Sequence, residues 1–214
     1  MKSIVIGAHL RRDDVEPLAA AIDVGDLTLS GIEVPDDQPL GDRELLLRVA
    51  GVRAQLLARA TFVAIRYGVA VRGDADALAK VAAHLPRWRT LLEAHRDDVE
   101  MTLKVAASEH KPRPDRRDFS SGAAYLRALH EATNAAAIDG GFRAAVDARL
   151  GTLARAQRWQ PRDNTSLEFA ALVPRADVAR VTDVGAELKR EFPNVPFLLS
   201  GPWPLEVFAE EAER

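Results

Sequence analysis

Apolar and polar positions change their period several times along the chain, and each change marks an element. Ile4-Val5-Ile6 is short, apolar and β-branched and reads as a strand, while Asp13 and Asp14 stand where a helix leading into Leu18, Ala21 and Ile22 begins. After a Gly25-Asp26 turn, Leu27 and Leu29 alternate with Thr28 and Ser30, and Ile32 and Val34 follow, a half-buried strand with a bulge at Gly31. Asp42 is placed to cap a helix in which Leu45, Leu46, Val49, Leu56, Leu57 and Ala60 recur at helical spacing. Phe62 to Tyr67 is β-prone and ends at Gly68. Asp74 caps a second helix with the stripe Leu78, Val81, Leu85, Trp88 and Leu92; Pro86 predicts a kink or break near residues 82–86.

Val99 to Val105 alternates apolar and polar without exception and is the clearest strand, with one face buried. Ser108 to Asp118, with Pro112 and Pro114, reads as an exposed loop. Two amphipathic runs follow, Tyr125 to Ala136 and Phe142 to Leu153, hinged at Gly140-Gly141; one bent helix and a helical hairpin both satisfy them. Leu167 to Val173 alternates again, Pro174 suits the first turn of a helix bearing Val178, Val181, Val184, Leu188 and Phe192, and a last strand spans Val195 to Leu199. Single-faced strands in the order β-α-β-α-β favour an antiparallel or mixed sheet covered by helices on one side. The fold class is therefore α+β with two domains: residues 1–98, and residues 99–214 as a modified ferredoxin-like domain with a long helical insertion.

Composition narrows function. The 214 residues include no cysteine, which removes disulfides, thiolate metal sites and cysteine nucleophiles together. Basic and acidic residues number 29 and 32, and neither side of residue 98 holds the basic excess that nucleic acid or an anionic membrane demands. No apolar run approaches the roughly 18–20 residues that span a bilayer, and no signal peptide is read at the start, so a cytoplasmic protein is expected.

Candidate chemistry is sparse. His9, His84, His95, His110 and His130 include no pair at the helical spacing that grips a metal. Asp74 and Asp76 are explained by helix capping, Ser30 and Ser200 precede glycines without a nucleophile context, and no phosphate-cradling glycine motif occurs. Lys111 to Arg117 is basic, but its acidic flanks and lack of aromatics mark a solvated loop. Asn164-Thr165-Ser166 matches a glycosylation acceptor that a cytoplasmic chain does not use. No cofactor, metal or catalytic residue is called for. The segment Gly201-Pro202-Trp203-Pro204, with Phe208 beyond it, has two readings: a tail whose Trp203 and Phe208 seal a core, or a docking surface with a Pro-flanked Trp as anchor.

Arg66-Tyr67-Gly68 after a β-prone run, the helix Leu78 to Leu92, the strand Val99-Glu100-Met101-Thr102-Leu103-Lys104-Val105, Tyr125-Leu126, Leu172-Val173-Pro174 and Gly201-Pro202-Trp203-Pro204 stand in an order that resembles the gas vesicle protein F/L family. The resemblance spans roughly residues 60–208. The chain departs from the family pattern at Met101, where an aromatic is common, at Val69, where threonine is usual, and at Pro86, and its N-terminal part reads as short. The resemblance implies a non-enzymatic accessory protein of gas vesicle formation that binds the hydrophobic shell protein and supports nucleation and assembly. It implies partners among the shell protein and other accessory proteins, a place in the cytoplasm and at the vesicle, and an interface at the C-terminal Trp203/Phe208 region or an exposed helix stripe. The alternative is a small-molecule sensor or enzyme on a ferredoxin-like sheet, with a pocket at Arg66, Tyr67 and His95.

Overall fold

The computed structural model describes residues 1–11, 20–106, 114–134, 138–163 and 165–209. Two compact units divide the chain: Met1–Val99 joined by the segment that begins at Trp203, and Glu100–Pro202.

The first unit holds strands β1 (Lys2–Leu10), β2 (Ala20–Val24), β3 (Leu27–Val34), β4 (Val63–Ala64) and β5 (Ala70–Val71), with helices α1 (Arg43–Arg59), α2 (Asp74–Val81) and α3 (Leu85–Ala94). Its sheet runs β2-β3-β1-β4, with β5 also on β1, and these pairings are antiparallel. The apolar run Ile4-Val5-Ile6 has no polar face to offer solvent, and β1 is accordingly buried on both sides from Ile4 to Leu10. Val49 and Val52 of α1 pack on a cluster of Ile4, Ile6, Ile32, Val34 and Leu45. The bulge lies in β1, where Ile6 is the extra residue between the pairs Val5–Gly31 and Gly7–Ser30. Gly31 is opposite it because the strands approach closely: a Cβ there would stand 2.5 Å from the Ile4 carbonyl oxygen.

Several expectations are corrected here. Ala21 and Ile22 lie in β2 rather than in a helix, and the rest of that expected helix, residues 12–19, falls outside the described residues. Strand β3 is buried at seven of eight positions instead of half-buried. Asp42 does cap α1, its carboxylate accepting the Glu44 N–H at 2.8 Å, but Asp74 is the first residue of α2, which Gly73 precedes as N-cap with φ 88°. The helical stripe does break after Val81, within the expected region near residues 82–86, and Pro86 sits in the first turn of α3, where its missing N–H costs nothing.

The second unit is built from β6 (Asp98–Ala106), α4 (Gly122–Asn134), α5 (Gly140–Arg149), β7 (Ala156–Asp163), β8 (Ser166–Pro174), α6 (Val178–Glu191) and β9 (Phe197–Trp203), with sheet order β7-β8-β6-β9. Alternation places Met101, Leu103 and Val105 of β6 and Phe169, Ala171 and Val173 of β8 in one apolar cluster. Phe142 and Val146 of α5 and Val181 and Leu188 of α6 complete it. Asp139 caps α5 by accepting the Phe142 N–H at 2.7 Å. The opposite face of β6 and β8 is mixed rather than solvated: Leu172 is buried there, and so are the polar Glu100, Thr102 and Glu168. The Glu168 carboxylate accepts from Gln160 Nε2 at 3.0 Å and has Arg162 and Lys104 at 3.6 and 4.0 Å. β7 lies in a stretch assigned no strand by the sequence pattern, and β9 continues to Trp203, beyond the expected end at Leu199. The expected loop retains a described part from residue 114; residues 107–113 are outside the described set.

Candidate functional site

Arg66-Tyr67-Gly68 forms the turn after β4. Phe62, Val63 and Ile65 are buried, and the Ile65 N–H donates to the Ile6 carbonyl at 3.0 Å, fixing where the strand ends. The Val69 N–H closes the turn on the Arg66 carbonyl at 3.4 Å, and the Val5 N–H takes up the Val69 carbonyl at 2.9 Å. Gly68, third of the four turn residues, has φ 96°, a conformation that side chains with a Cβ resist. Tyr67 is 37% exposed and its hydroxyl donates to the Leu40 carbonyl at 2.6 Å, so the ring is tied to the start of the α1 region. The Arg66 side chain is exposed.

Gly201-Pro202-Trp203-Pro204 ends β9. Gly201 has φ 130° and precedes a cis peptide bond to Pro202, and a Cβ on it would stand 2.9 Å from the Glu100 carbonyl oxygen. Trp203 is 43% exposed, whereas Pro204, Leu205 and Val207 are buried. Leu205 forms a parallel bridge with Val63: its N–H donates to Phe62 O at 2.9 Å and its carbonyl accepts from Ala64 N–H at 3.1 Å. The half-buried Phe208 has its carbonyl held by Arg87 Nη2 at 2.8 Å, and Glu206 forms an ion pair with Arg53. Leu205, rather than the two aromatics, is thus the fully buried residue of this tail. Its signal in the sequence was a single apolar residue beyond two prolines.

The histidines take separate roles. His9 is buried, its Nε2 3.0 Å from the Ser30 hydroxyl and its Nδ1 3.0 Å from the Leu10 carbonyl, a satisfied pair inside the sheet that also gives Ser30 its partner. His95 Nδ1 lies 2.8 Å from the buried Asp98 carboxylate. His84 stacks on Trp88 at 5.3 Å between centroids, and His110 is outside the described residues. Ser200 pairs with the Thr102 hydroxyl at 3.0 Å. Among the described residues no three His, Asp or Glu side chains gather as a metal site, and no helix is long and apolar enough to cross a membrane. Asp76 has its carboxyl held below the usual range by the Arg72 backbone N–H and then by Lys80. Asp36 is held low by the N-terminal ammonium and then by Arg72.

Residues 16–209 match the family described as Gas vesicle synthesis protein GvpL/GvpF. The fold is similar to the crystal structure of the gas vesicle protein GvpF from Anabaena sp. PCC7120, with a TM-score of 0.66 at 13% identity over 98% of each chain. It is similar also to GvpF from Microcystis aeruginosa, with a TM-score of 0.70 at 11% identity over 98% of this chain and 99% of that one. Such coverage corrects the expectation of a short N-terminal part. No curated protein sequence matches the chain.

Proposed function

The chain belongs to the GvpL/GvpF family of gas vesicle synthesis proteins, and from that premise we propose that it is an accessory protein that binds the hydrophobic shell protein and supports nucleation and assembly of the vesicle shell. The family match is the observation that carries this reading. Shell subunits that travel to a growing edge with large apolar surfaces exposed aggregate unless a partner covers them. Apolar side chains suited to that contact are exposed on α1, where Leu46 and Leu47 are 43% and 64% accessible beside the buried Leu45, and at Trp203. No catalytic step is assigned, and the working place is the cytoplasm and the forming vesicle.

In the same reading the two compact units are two α+β domains, and the second is ferredoxin-like. Its sheet order β7-β8-β6-β9, with α4 and α5 joining β6 to β7 and α6 joining β8 to β9 along the chain, supports that topology. Arg66-Tyr67-Gly68 and Gly201 to Pro204 then act mainly by shaping the backbone, and Trp203 and Phe208 by contact.

Co-expression with the shell protein tests the function. The shell protein is expected to stay in the soluble fraction and co-purify, and a Leu46→Ser/Leu47→Ser double variant or Trp203→Ser is expected to lower the yield of complex. Shell protein that precipitates equally with and without this chain, and fails to co-purify at low salt, refutes the reading.

A further inference from the structure

Beside β4 the first unit carries an open groove of about 520 Å³. Val63, Ile65, Val81 and Trp88 supply buried apolar walls, and Arg66, Lys80 and Arg87 bring three cations from three different elements. Among the described residues no carboxylate lines it, although acidic residues outnumber basic ones in the chain as a whole. The three cations are not equivalent. Lys80 is answered locally, its ammonium donating to the Asp76 carboxylate at 3.1 Å and to the Ala70 carbonyl at 2.5 Å. Arg87 bonds a neutral acceptor, the Phe208 carbonyl, and pairs with no carboxylate among the described residues. Arg66 makes no ion pair among the described residues and its side chain is exposed.

We propose that this groove binds an acidic peptide segment of a protein partner, with carboxylates on Arg66 and Arg87 and an apolar side chain against Trp88 and Val81. Two guanidiniums suit bidentate carboxylate recognition. They are too few to hold a nucleic acid backbone against salt on a chain that is net negative. A small inorganic anion would leave the apolar walls unused, whereas a peptide uses walls and rim together.

The test is fluorescence anisotropy at low salt on the full chain, with a short labelled peptide alternating glutamate and leucine as probe. The expected result is binding that weakens about tenfold with the glutamine–leucine counterpart and about tenfold in Arg66→Ser, the loss of one charge-assisted contact. Arg180→Ser, which removes the same charge from an exposed position of α6, is expected to leave binding unchanged. Near-UV circular dichroism and melting of Arg66→Ser are expected to match the parent, because that side chain is exposed and has no ion-pair partner among the described residues. Equal weakening by Arg66→Ser and Arg180→Ser, equal binding of the glutamine peptide, or complete displacement by inorganic phosphate overturns the proposal. So does tighter probe binding when Glu210, Glu211 and Glu213 are changed to glutamine, which assigns the groove to the chain's own acidic end.

Discussion

Leu205→Ala is the sharpest probe of the C-terminal tail. Leu205 is fully buried and its backbone makes two hydrogen bonds to the edge of β4, so the tail is part of the first unit's sheet rather than a free arm. Removing most of a fully buried leucine side chain forfeits about 1.5–3 kcal/mol of transfer free energy. A cavity that fails to collapse raises the loss to about 2–5 kcal/mol. The loss has a ceiling, however, because once the tail has undocked nothing further is forfeited; the observable is therefore local opening rather than global unfolding. The Ala64 amide, which donates to the Leu205 carbonyl, reports that opening directly. Hydrogen exchange on the parent and on Leu205→Ala is expected to show protection of Ala64 falling by at least roughly 30-fold, the equivalent of about 2 kcal/mol. Glu206→Gln is the control: it weakens a partly exposed ion pair with Arg53, from which about 0–1 kcal/mol is expected. Ala64 protection in Leu205→Ala that stays within about twofold of the parent would refute the argument, since no well-packed leucine is lost so cheaply.

Other outcomes follow from single contacts. Gly7→Ala would drive a Cβ into the Phe62 ring, and Gly31→Ala would drive one onto the Ile4 carbonyl at the bulge; each is expected to lower stability by about 1–3 kcal/mol in chemical denaturation. Glu168→Ala strips the buried acceptor from Gln160, Arg162 and Lys104 and is expected to cost about 1–3 kcal/mol, with Glu168→Gln costing less. Asp36 and Asp76 have folded-state pKa values lowered from 3.8, so their contribution is complete above that value and is lost as pH falls through the lowered ones. Melting temperatures followed into the acid range are expected to fall less steeply in Asp36→Asn than in the parent.

Legibility from sequence differed from element to element for physical reasons. Helix α1 and strand β6 announced themselves because their periods persist for many residues and, for α1, because Asp42 marks the start. Strand β2 reads as helix in the sequence because Leu18, Ala21 and Ile22 also satisfy helical spacing, while the exposed Ala21 and Asp23 alternating with the buried Ile22 and Val24 reveal the strand only in three dimensions. β7 carries one large apolar residue, Trp159, among Gln, Arg and Pro, since an edge strand needs little apolar surface, and Pro161 falls beside its register shift. In β6 the pattern identified which side chains are polar but not whether they are wet: Glu100 and Thr102 are as buried as their apolar neighbours.

The two signature turns show the same limit at the candidate site. Gly68 and Gly201 are legible as glycines that the backbone requires, and the structure supplies the requirement as positive φ at both. The side chains that follow such a glycine are harder to read, because exposure depends on what the tail does after the turn. Trp203, the residue that draws attention in the sequence, stays partly exposed, while Leu205 two positions later takes the buried place against β4. The chain direction imposed by Pro202 and Pro204 thus delivers an aliphatic residue to the sheet edge and leaves indole surface available for contact. A Trp side chain has only two torsions to immobilise, so it gives a large contact area at low entropic cost on binding. For that reason the aromatic reads better as an anchor for a partner than as a seal for the core, and Trp203→Ser tests it without touching the Leu205 bridge.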